Sequence, residues 1–215
     1  FSEEDMIKKF RLILNFEAIG TAIFANSPFD RGKPSKYKSL RSHFWHHTDK
    51  DRTGIIPFVF DENFNFETYT QYALSIPMYF VKREGRYIDM TSFTFNDFLN
   101  QNKKFDEQIG EPIMSDWIDH LSTLFPQVRL KQYLEIRSMD ACSWDMICSP
   151  AAFWTGLLYD EESLNKALNL MHDWTHEERL FLNLDVPKNG LNTKFRNITV
   201  LDIAKKLLEI SEEGL

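Results

Sequence analysis

The sequence has few cysteines, glycines and prolines, and these shortages exclude several classes of protein. Its 215 residues include two cysteines, Cys142 and Cys148, which are too few for a disulfide framework. Glycine and proline number eight each, so neither a fibrous nor a disordered chain is indicated. The composition is 43% hydrophobic and 27% charged, which predicts a globular domain with a sizeable core.

Basic clusters and long apolar runs are also missing. The formal net charge is -7 and no basic run occurs, so we expect no nucleic-acid partner. No apolar run approaches the length of about 18 residues that crosses a bilayer, and no signal peptide is recognisable. The sequence therefore predicts a protein without a membrane partner, located in a reducing cytoplasm.

The first residues already form part of an organised element. The chain begins with Phe1, and "FSEEDMIKKFRLIL" predicts a helix with Ser2 at its N-cap and Asp5 in its first turn. We therefore expect this chain to be a piece of a longer protein, with an upstream segment or chain as a partner.

Periodicity and turn residues predict an α+β fold. Apolar residues at helical spacing predict a long helix over 3–25, and two β-rich runs around Gly85 predict a hairpin in "PMYFVKREGRYIDM". The runs "RSHFW" and "IIPFVF" are predicted to be strands. We expect a mainly antiparallel sheet with flanking helices and a helical C-terminal third. Within one domain, 1–215, residues 1–160 form the sheet-and-helix part of the cleft and 161–215 form a helical extension.

The segment "RLKQYLEIRSMD" carries an unusual set of charges. As a strand, it would place its odd positions on one face, because successive side chains alternate between faces. That face holds Arg129, Lys131, Tyr133, Glu135 and Arg137. One interpretation is a solvated sheet surface, and the other is a site that handles phosphate and metal.

Histidines and cysteines offer weaker candidates for chemistry. His43, His46 and His47 lie close together, but strand alternation would separate His46 from the other two, which favours polar residues at a strand end over a zinc site. Cys142 and Cys148 are six positions apart and do not form a C-x-x-C motif, which favours buried thiols over a redox pair.

Two arginines flank the polar segment "RSHFWHHTDKDRTG". Arg41 and Arg52 could each bind a carboxylate through the guanidinium fork. The alternative for these residues is a structural salt bridge with Asp49 or Asp51. The sequence has no glycine-rich phosphate loop and no G-x-S-x-G motif.

A series of longer motifs points to one family. The chain resembles the C-terminal half of glutamate–cysteine ligase, in the form shared by plants and proteobacteria, and the matching stretches occur in family order over nearly all of 1–215. They are "FANSPF", "GKP", "RSHFW", "DRTG", "PFVF", "YALSIPMYFV", "YID", "DWIDHLSTLFPQVRLKQYLEIR", "AFWTGLLYD" and "DWTHEER".

This resemblance implies a scaffold related to glutamine synthetase and an ATP-dependent ligation. In the family, ATP with Mg²⁺ phosphorylates the γ-carboxylate of glutamate. The amine of cysteine then attacks the acyl phosphate and gives γ-glutamylcysteine, the first intermediate of glutathione synthesis. The implied small-molecule substrates are therefore glutamate, cysteine and ATP, and the implied metal is Mg²⁺.

The resemblance also implies roles for individual residues. Arg41 of "RSHFW" is expected to bind the α-carboxylate of glutamate, and Trp144 to form a wall of the amino-acid pocket. Glu135 and Arg137 of "LEIR" are expected to be a magnesium ligand and a phosphate contact, respectively, and thus the catalytic pair. Arg52 is assigned generically to substrate or phosphate.

Three departures from the family pattern leave other interpretations open. The family is about twice as long, and its upstream half supplies acidic metal ligands. Plant members read "GADGGPWRRLC" where this chain reads "SMDACSWDMIC", so Asp145 and Met146 replace two arginines. In a different segment, after "YID", Met90 replaces the cysteine of a plant redox hairpin. A non-catalytic remnant, a partner-binding fragment or another carboxylate–amine ligase are the alternatives.

Overall fold

The computed structural model describes residues 2–101 and 105–215. Its α-helices are α1 (Glu3–Ile23), α2 (Leu40–Trp45), α3 (Phe66–Ser75), α4 (Phe95–Leu99), α5 (Met114–Ser122), α6 (Ser149–Tyr159), α7 (Glu161–Leu170), α8 (His176–Asn189) and α9 (Val200–Glu213). Its strands are β1 (Phe29–Asp30), β2 (Lys33–Pro34), β3 (Thr53–Gly54), β4 (Phe80–Arg83), β5 (Arg86–Asp89), β6 (Phe125–Pro126), β7 (Val128–Leu130), β8 (Leu134–Ile136), β9 (Lys194–Phe195) and β10 (Ile198–Thr199).

Helix α1 is the centre of the fold. The Ser2 hydroxyl accepts a hydrogen bond from the Asp5 backbone N–H at 3.2 Å, which confirms the predicted N-cap. Every residue from Leu12 to Ala22 is buried, so the C-terminal half of this helix is covered on all sides. Helices α7, α8 and α9 and the strands β7 and β8 pack against it.

The helices of the C-terminal third join the same hydrophobic core. Helices α6 and α9 approach so closely that a Cβ added at Gly156 would lie 1.9 Å from the carbonyl oxygen of Ser211. Glycine is therefore required at this crossing, because any side chain would collide with backbone. Phe16 and Trp174 make an edge-on ring contact that ties α1 to the segment between α7 and α8.

The α+β class is confirmed, but one extended sheet is absent from the described residues. The strands there form five two-stranded ladders, four of them antiparallel, while β3 and β6 pair in parallel. Each strand is two to four residues long, so each ladder closes with few hydrogen bonds. Helices supply most of the buried apolar surface.

Two predicted strands are wrong. The "RSHFW" run lies in α2, whose first turn is capped by the Ser39 hydroxyl accepting from the Ser42 N–H at 3.1 Å. A capped turn satisfies backbone donors locally and overrides the β-rich composition. The "IIPFVF" run instead forms a 3₁₀ turn, Pro57–Phe60, which begins at a proline whose fixed φ suits that position.

The charged segment from Arg129 is a hairpin, not one continuous strand. Strands β7 and β8 pair antiparallel with Arg129 opposite Glu135, and the Lys131 N–H donates to the Tyr133 carbonyl at 2.9 Å across the turn. Directly opposed residues of an antiparallel pair share a face. The prediction that Arg129 and Glu135 share a face is therefore met by cross-strand pairing.

The predicted hairpin around Gly85 is confirmed. Strands β4 and β5 pair in register, and the turn uses positive φ at Glu84 (48°) and Gly85 (80°). Met90 follows β5 and is fully buried in a second apolar cluster with Val81 and Phe98. No helix among the described residues combines the length and the hydropathy needed to cross a bilayer.

Candidate functional site

The β7–β8 hairpin carries the ion pair on which the site is built. Arg129 is buried, and its Nε and Nη2 donate to one oxygen of Glu135, Oε2, at 3.1 and 2.7 Å. Its Nη1 donates to the carbonyl oxygens of Ser122 and Leu124 at 2.6 and 3.0 Å. The guanidinium is thus fixed between the end of α5 and the Glu135 carboxylate.

Arg137 binds the other oxygen of the same carboxylate. Its Nη1 donates to Glu135 Oε1 at 2.5 Å, and its guanidinium lies near the ring faces of Trp45 and Phe125. Lys131 adds a third cation, with Nζ 3.7 Å from Oε2. Partial burial opposes ionisation of Glu135, but the hydrogen bonds from Arg129 and Arg137 outweigh it and lower the pKa of the carboxyl.

Three cations around one carboxylate leave this part of the surface with a net positive charge. Arg129, Lys131 and Arg137 lie within ion-pair distance of Glu135 and are only partly compensated by it. An anion that approached Arg137 would therefore meet uncompensated positive charge. The net positive charge of this group would attract phosphate oxygens.

Arg41 is joined to this group through the backbone that follows β8. Its Nη2 donates to the carbonyl oxygen of Arg137 at 2.6 Å, and its Nη1 donates to that of Ser138 at 3.0 Å. Burial lowers the pKa of Arg41, although the side chain remains a cation at neutral pH. The structure thus brings Arg41, Glu135 and Arg137 together.

A buried carboxylate at Asp140 fixes the start of α2, and with it Arg41. Asp140 accepts hydrogen bonds from the Asn26 N–H at 2.8 Å and from the Ser27 and Ser39 hydroxyls at 2.7 and 2.8 Å. Ser39 is also the N-cap of α2. This interaction locks the loop before Arg41 onto the segment after Arg137.

Glu17 lies behind this group and was missed by the sequence reasoning. It is fully buried in α1, and its Oε1 has no hydrogen-bond partner among the described residues. Burial raises the pKa of Glu17 to about 7, while nearby Asn183, Ser138 and the charge of Arg41 act in the opposite direction. A single carboxylate inside the apolar run "LILNFEAIG" is the sequence signal that could have identified it.

Arg52 occupies a separate, fully buried position. Its Nε donates to Asp49 Oδ2 at 2.6 Å, its Nη2 donates to the Pro77 carbonyl at 2.7 Å, and its guanidinium stacks 3.6 Å from the ring of Tyr79. The salt bridge with Asp49, weighed above as the alternative, is therefore present. Contact of Arg52 with substrate stays a prediction.

Trp144 stands in the loop between β8 and α6. It begins a short 3₁₀ turn, Trp144–Met146, and 87% of the residue is exposed to solvent. Cys142 is half-buried and Cys148 is exposed, and both are free thiols. The expectation that both thiols are buried is therefore wrong for Cys148, and the pocket-wall role of Trp144 stays a prediction.

The three histidines each contact another group of the protein. His46 Nε2 lies 2.9 Å from the Asn183 carbonyl oxygen, and His47 Nδ1 lies 2.9 Å from the His43 carbonyl oxygen. The ring of His43 stacks on Tyr37 at 3.9 Å. Over 2–101 and 105–215, no group of three or more His, Cys, Asp or Glu side chains could hold a metal ion.

The chemistry of the donor set limits what Glu135 could do with a cation. Mg²⁺ prefers several oxygen ligands in octahedral geometry, and Glu135 supplies one carboxylate whose two oxygens already accept from arginines. Glu135 therefore fits as one ligand of a magnesium site only if further acidic ligands come from elsewhere and one arginine contact is released.

An apolar groove of about 750 Å³ opens beside the turn of the hairpin. Its lining includes Tyr69, Trp117, Ile118 and Tyr133, and also Lys131, which contacts Glu135 at the same time. The hydroxyl of Tyr69 accepts a hydrogen bond from the Leu130 N–H at 3.0 Å, which ties the groove to β7. The groove and the charged group are therefore contiguous through Lys131.

Comparisons with known proteins show the family of the chain. A family model described as Glutamate-cysteine ligase family 2 matches residues 1–214. The chain is 53% identical over all 215 residues to glutamate–cysteine ligase B, chloroplastic, of Oryza sativa subsp. japonica, and covers 43% of that relative. It is 50% identical to the chloroplastic enzyme of Solanum lycopersicum and 51% identical to that of Arabidopsis thaliana, and covers 41% of each.

Two expectations are affected by these relatives. The chain spans about 41–43% of the length of the curated relatives it matches, in line with the expectation of a longer protein. The expected cytoplasmic location is wrong on the same comparison, because the relatives from Oryza, Solanum and Arabidopsis are each named as chloroplastic.

Proposed function

Because the chain belongs to glutamate–cysteine ligase family 2, we propose that it is the C-terminal part of an enzyme that joins glutamate to cysteine with ATP. The observation that carries this proposal is the connected set of Arg41, Glu135 and Arg137, which the backbone of β8 and its continuation holds together. In this proposal the charged face of the hairpin lines a nucleotide cleft and does not face bulk water.

Each residue is assigned to the charged group of the substrates that it could neutralise. Arg137 contacts the phosphoryl group, since a guanidinium near aromatic faces and partly shielded from water stabilises charge that develops during transfer. Arg41 binds the α-carboxylate of glutamate through donors that its two backbone contacts leave free. Trp144 closes the amino-acid pocket, and Arg52 is a second contact for substrate or phosphate.

Magnesium and ATP enter the proposal through Glu135 and the neighbouring groove. A bound Mg²⁺ would neutralise phosphate charge, and Glu135 would be one of its ligands. In this proposal the remaining acidic ligands come from an upstream segment, since no cluster of three or more His, Cys, Asp or Glu side chains among the described residues could hold a metal ion. The apolar groove beside Lys131 suits the base of a nucleotide whose phosphates extend towards Arg137.

The scaffold and the domain division follow the same proposal. We place the two-stranded ladders on a glutamine synthetase-like scaffold in which strands from an upstream segment extend them. Residues 1–160 then form the cleft part, and 161–215 form a helical extension packed on α1. A plastid location is proposed for the whole protein, following the names of its relatives.

Product formation by the chain with and without an upstream part tests this function. The 215-residue chain is mixed with glutamate, cysteine and ATP with Mg²⁺, and γ-glutamylcysteine is measured by mass spectrometry. The same chain is then fused behind the upstream part of the Oryza relative. We expect no product from the chain alone and product from the fusion. Robust ATP-dependent product formation by the chain alone would contradict the claim that its active site is incomplete. A folded fusion that forms no product would contradict the proposed ligase function.

A second candidate is a non-catalytic fragment that keeps the fold and binds a partner. The exposed apolar side chains Trp144, Met146 and Ile147 in one loop favour it, because clustered exposed apolar residues are typical of interaction surfaces. A fragment of this kind would bind its partner but would leave the fusion inactive. The fusion experiment therefore separates the two candidates.

A further inference from the structure

Arg129 is more completely fixed than Arg41 and Arg137, the other two arginines joined to Glu135 and the backbone after it. Its exposed fraction is 6%, and every nitrogen of its guanidinium donates a hydrogen bond. Two of the acceptors are backbone carbonyls at the end of α5, at Ser122 and Leu124. A group held by backbone on one side and by a carboxylate on the other has little rotamer freedom left.

The way Arg129 contacts Glu135 distinguishes the two oxygens of that carboxylate. Both Nε and Nη2 converge on Oε2, whereas Oε1 accepts from Arg137. Arg137 is more exposed than Arg129, with 20% against 8% of the side chain, and among the described residues its guanidinium donates to Glu135. One oxygen is therefore bound by a fixed partner and the other by a partner that is freer to leave.

Resting on the proposed function, we infer that Arg129 is a positioning residue for phosphoryl transfer. It holds Glu135 through Oε2, so that Oε1 is the oxygen that exchanges between Arg137 and a ligand cation. When Arg137 turns to a phosphate, Oε1 of Glu135 loses that hydrogen bond and can accept a new partner. Its direction stays fixed, because Arg129 still holds Oε2 of the same carboxylate. Without Arg129 the carboxylate would rotate to follow Arg137, and both partners would lose their alignment.

A matched control exists elsewhere in the chain. Arg83 forms a comparable ion pair with Asp116, with Nη1 and Nη2 at 2.6 and 2.8 Å from its two oxygens, and also donates to the carbonyls of Ile109, Lys82 and Glu111. Asp116 is buried, with 2% of its side chain exposed. Substitution of Arg83 therefore reports the structural cost of losing such a fork without touching Glu135.

The first experiment measures metal and nucleotide binding in the active fusion. Arg129→Lys and Arg83→Lys are compared with wild type for Mn²⁺ affinity by electron paramagnetic resonance with ADP present, for KM of ATP and of glutamate, and for thermal midpoint. We expect Arg129→Lys to weaken Mn²⁺ binding about tenfold and to raise KM for ATP more than KM for glutamate. Arg83→Lys should lower the thermal midpoint without either shift. Equal behaviour of the two variants would overturn the inference.

The second measurement needs neither activity nor a fusion. In the 215-residue chain, NMR of arginine side chains should show a slowly exchanging Arg129 Nε–H, because that proton is buried and bonded to Oε2. In Arg129→Lys, or in Arg129→Met if the lysine variant does not fold, the resonances of Arg137 should broaden, whereas in Arg83→Lys they should persist. An unchanged Arg137 signal without Arg129 would overturn the inference, even if no product is formed and the proposed function itself fails.

Discussion

The guanidinium of Arg41 lies 2.6 Å from the backbone carbonyl oxygen of Arg137. The residue proposed to bind glutamate therefore holds the chain at the residue proposed to contact phosphate. One hydrogen bond and the side chain of Arg41 connect the two residues. Under the proposed function, the amino-acid pocket and the phosphoryl site would therefore be parts of one unit.

Arg41→Lys is expected to weaken glutamate binding more than ATP binding. Lysine keeps the charge but loses the fork that reaches both the Arg137 and Ser138 carbonyls and a carboxylate at once. A charged hydrogen-bonded pair contributes roughly 1.5–3 kcal/mol, so KM for glutamate in the active fusion should rise about tenfold or more. Equal increases in both KM values would indicate that Arg41 only holds the backbone.

Glu17→Gln is expected to change how stability depends on pH. The folded pKa of about 7 lies above the ordinary value of 4.5, so the protonated form is favoured by folding. The stability that Glu17 contributes is full below pH 4.5 and is lost as pH rises through 7. Above that pH the buried charge costs roughly 3 kcal/mol.

The glutamine variant should therefore be the more stable protein at pH 8.5, by up to about 3 kcal/mol in denaturant unfolding, and the difference should shrink at pH 5. Glu209→Gln, at an exposed position of α9, is the control for loss of a surface charge. A wild-type chain that is as stable as the variant at pH 8.5 would show that Glu17 is ionised at little cost.

Arg52→Met is expected to destabilise the fold. The substitution removes the ion pair with Asp49 and leaves the Pro77 carbonyl without its donor, which should cost about 2–4 kcal/mol in unfolding free energy. KM values measured on the folded fusion decide whether Arg52 also contacts a ligand. A raised KM for glutamate or ATP would support the substrate role, and a stability equal to wild type would contradict the ion pair.

Oxidation is expected to leave the chain unchanged. Met90 occupies the hairpin position where plant relatives are expected to carry a cysteine, and it is fully buried. The two cysteines present are free, and one is exposed while the other is half-buried. Oxidised and reduced samples should migrate alike on non-reducing gels and have equal thermal midpoints, with an alkylated sample as the control. An oxidation-dependent shift of the monomer band would refute this.

Local signals predicted much of the fold but did not predict α2. Ser2 before an acidic first turn and Gly85 between two β-rich runs indicated a helix and a hairpin correctly, because each is satisfied within a few residues. "RSHFW" failed because its composition was given more weight than the capping serine before it, Ser39, whose hydroxyl also donates to Asp140, about a hundred residues away. No local pattern reports such a contact.

The candidate site was predictable in composition but not in geometry. Alternation placed Arg129, Glu135 and Arg137 on one face correctly, yet the turn at Lys131 contains neither glycine nor proline and gave no sign of a hairpin. The carbonyl contacts of Arg41 and the burial of Glu17 depend on how α1 and α2 meet the end of β8. These are tertiary relationships, which the sequence does not show directly.

The central claim is that the charged face of the β7–β8 hairpin takes part in phosphoryl transfer. Turnover of Arg137→Ala and Glu135→Gln in the active fusion, at saturating ATP and Mg²⁺, tests it most directly. A lost transition-state contact typically costs about 2.7–4 kcal/mol. The account therefore predicts that each variant loses at least about a hundredfold in kcat while keeping its circular dichroism spectrum and most of its thermal midpoint. Near-normal kcat in either variant would contradict the account. It would indicate that the substituted residue forms only an ordinary surface ion pair.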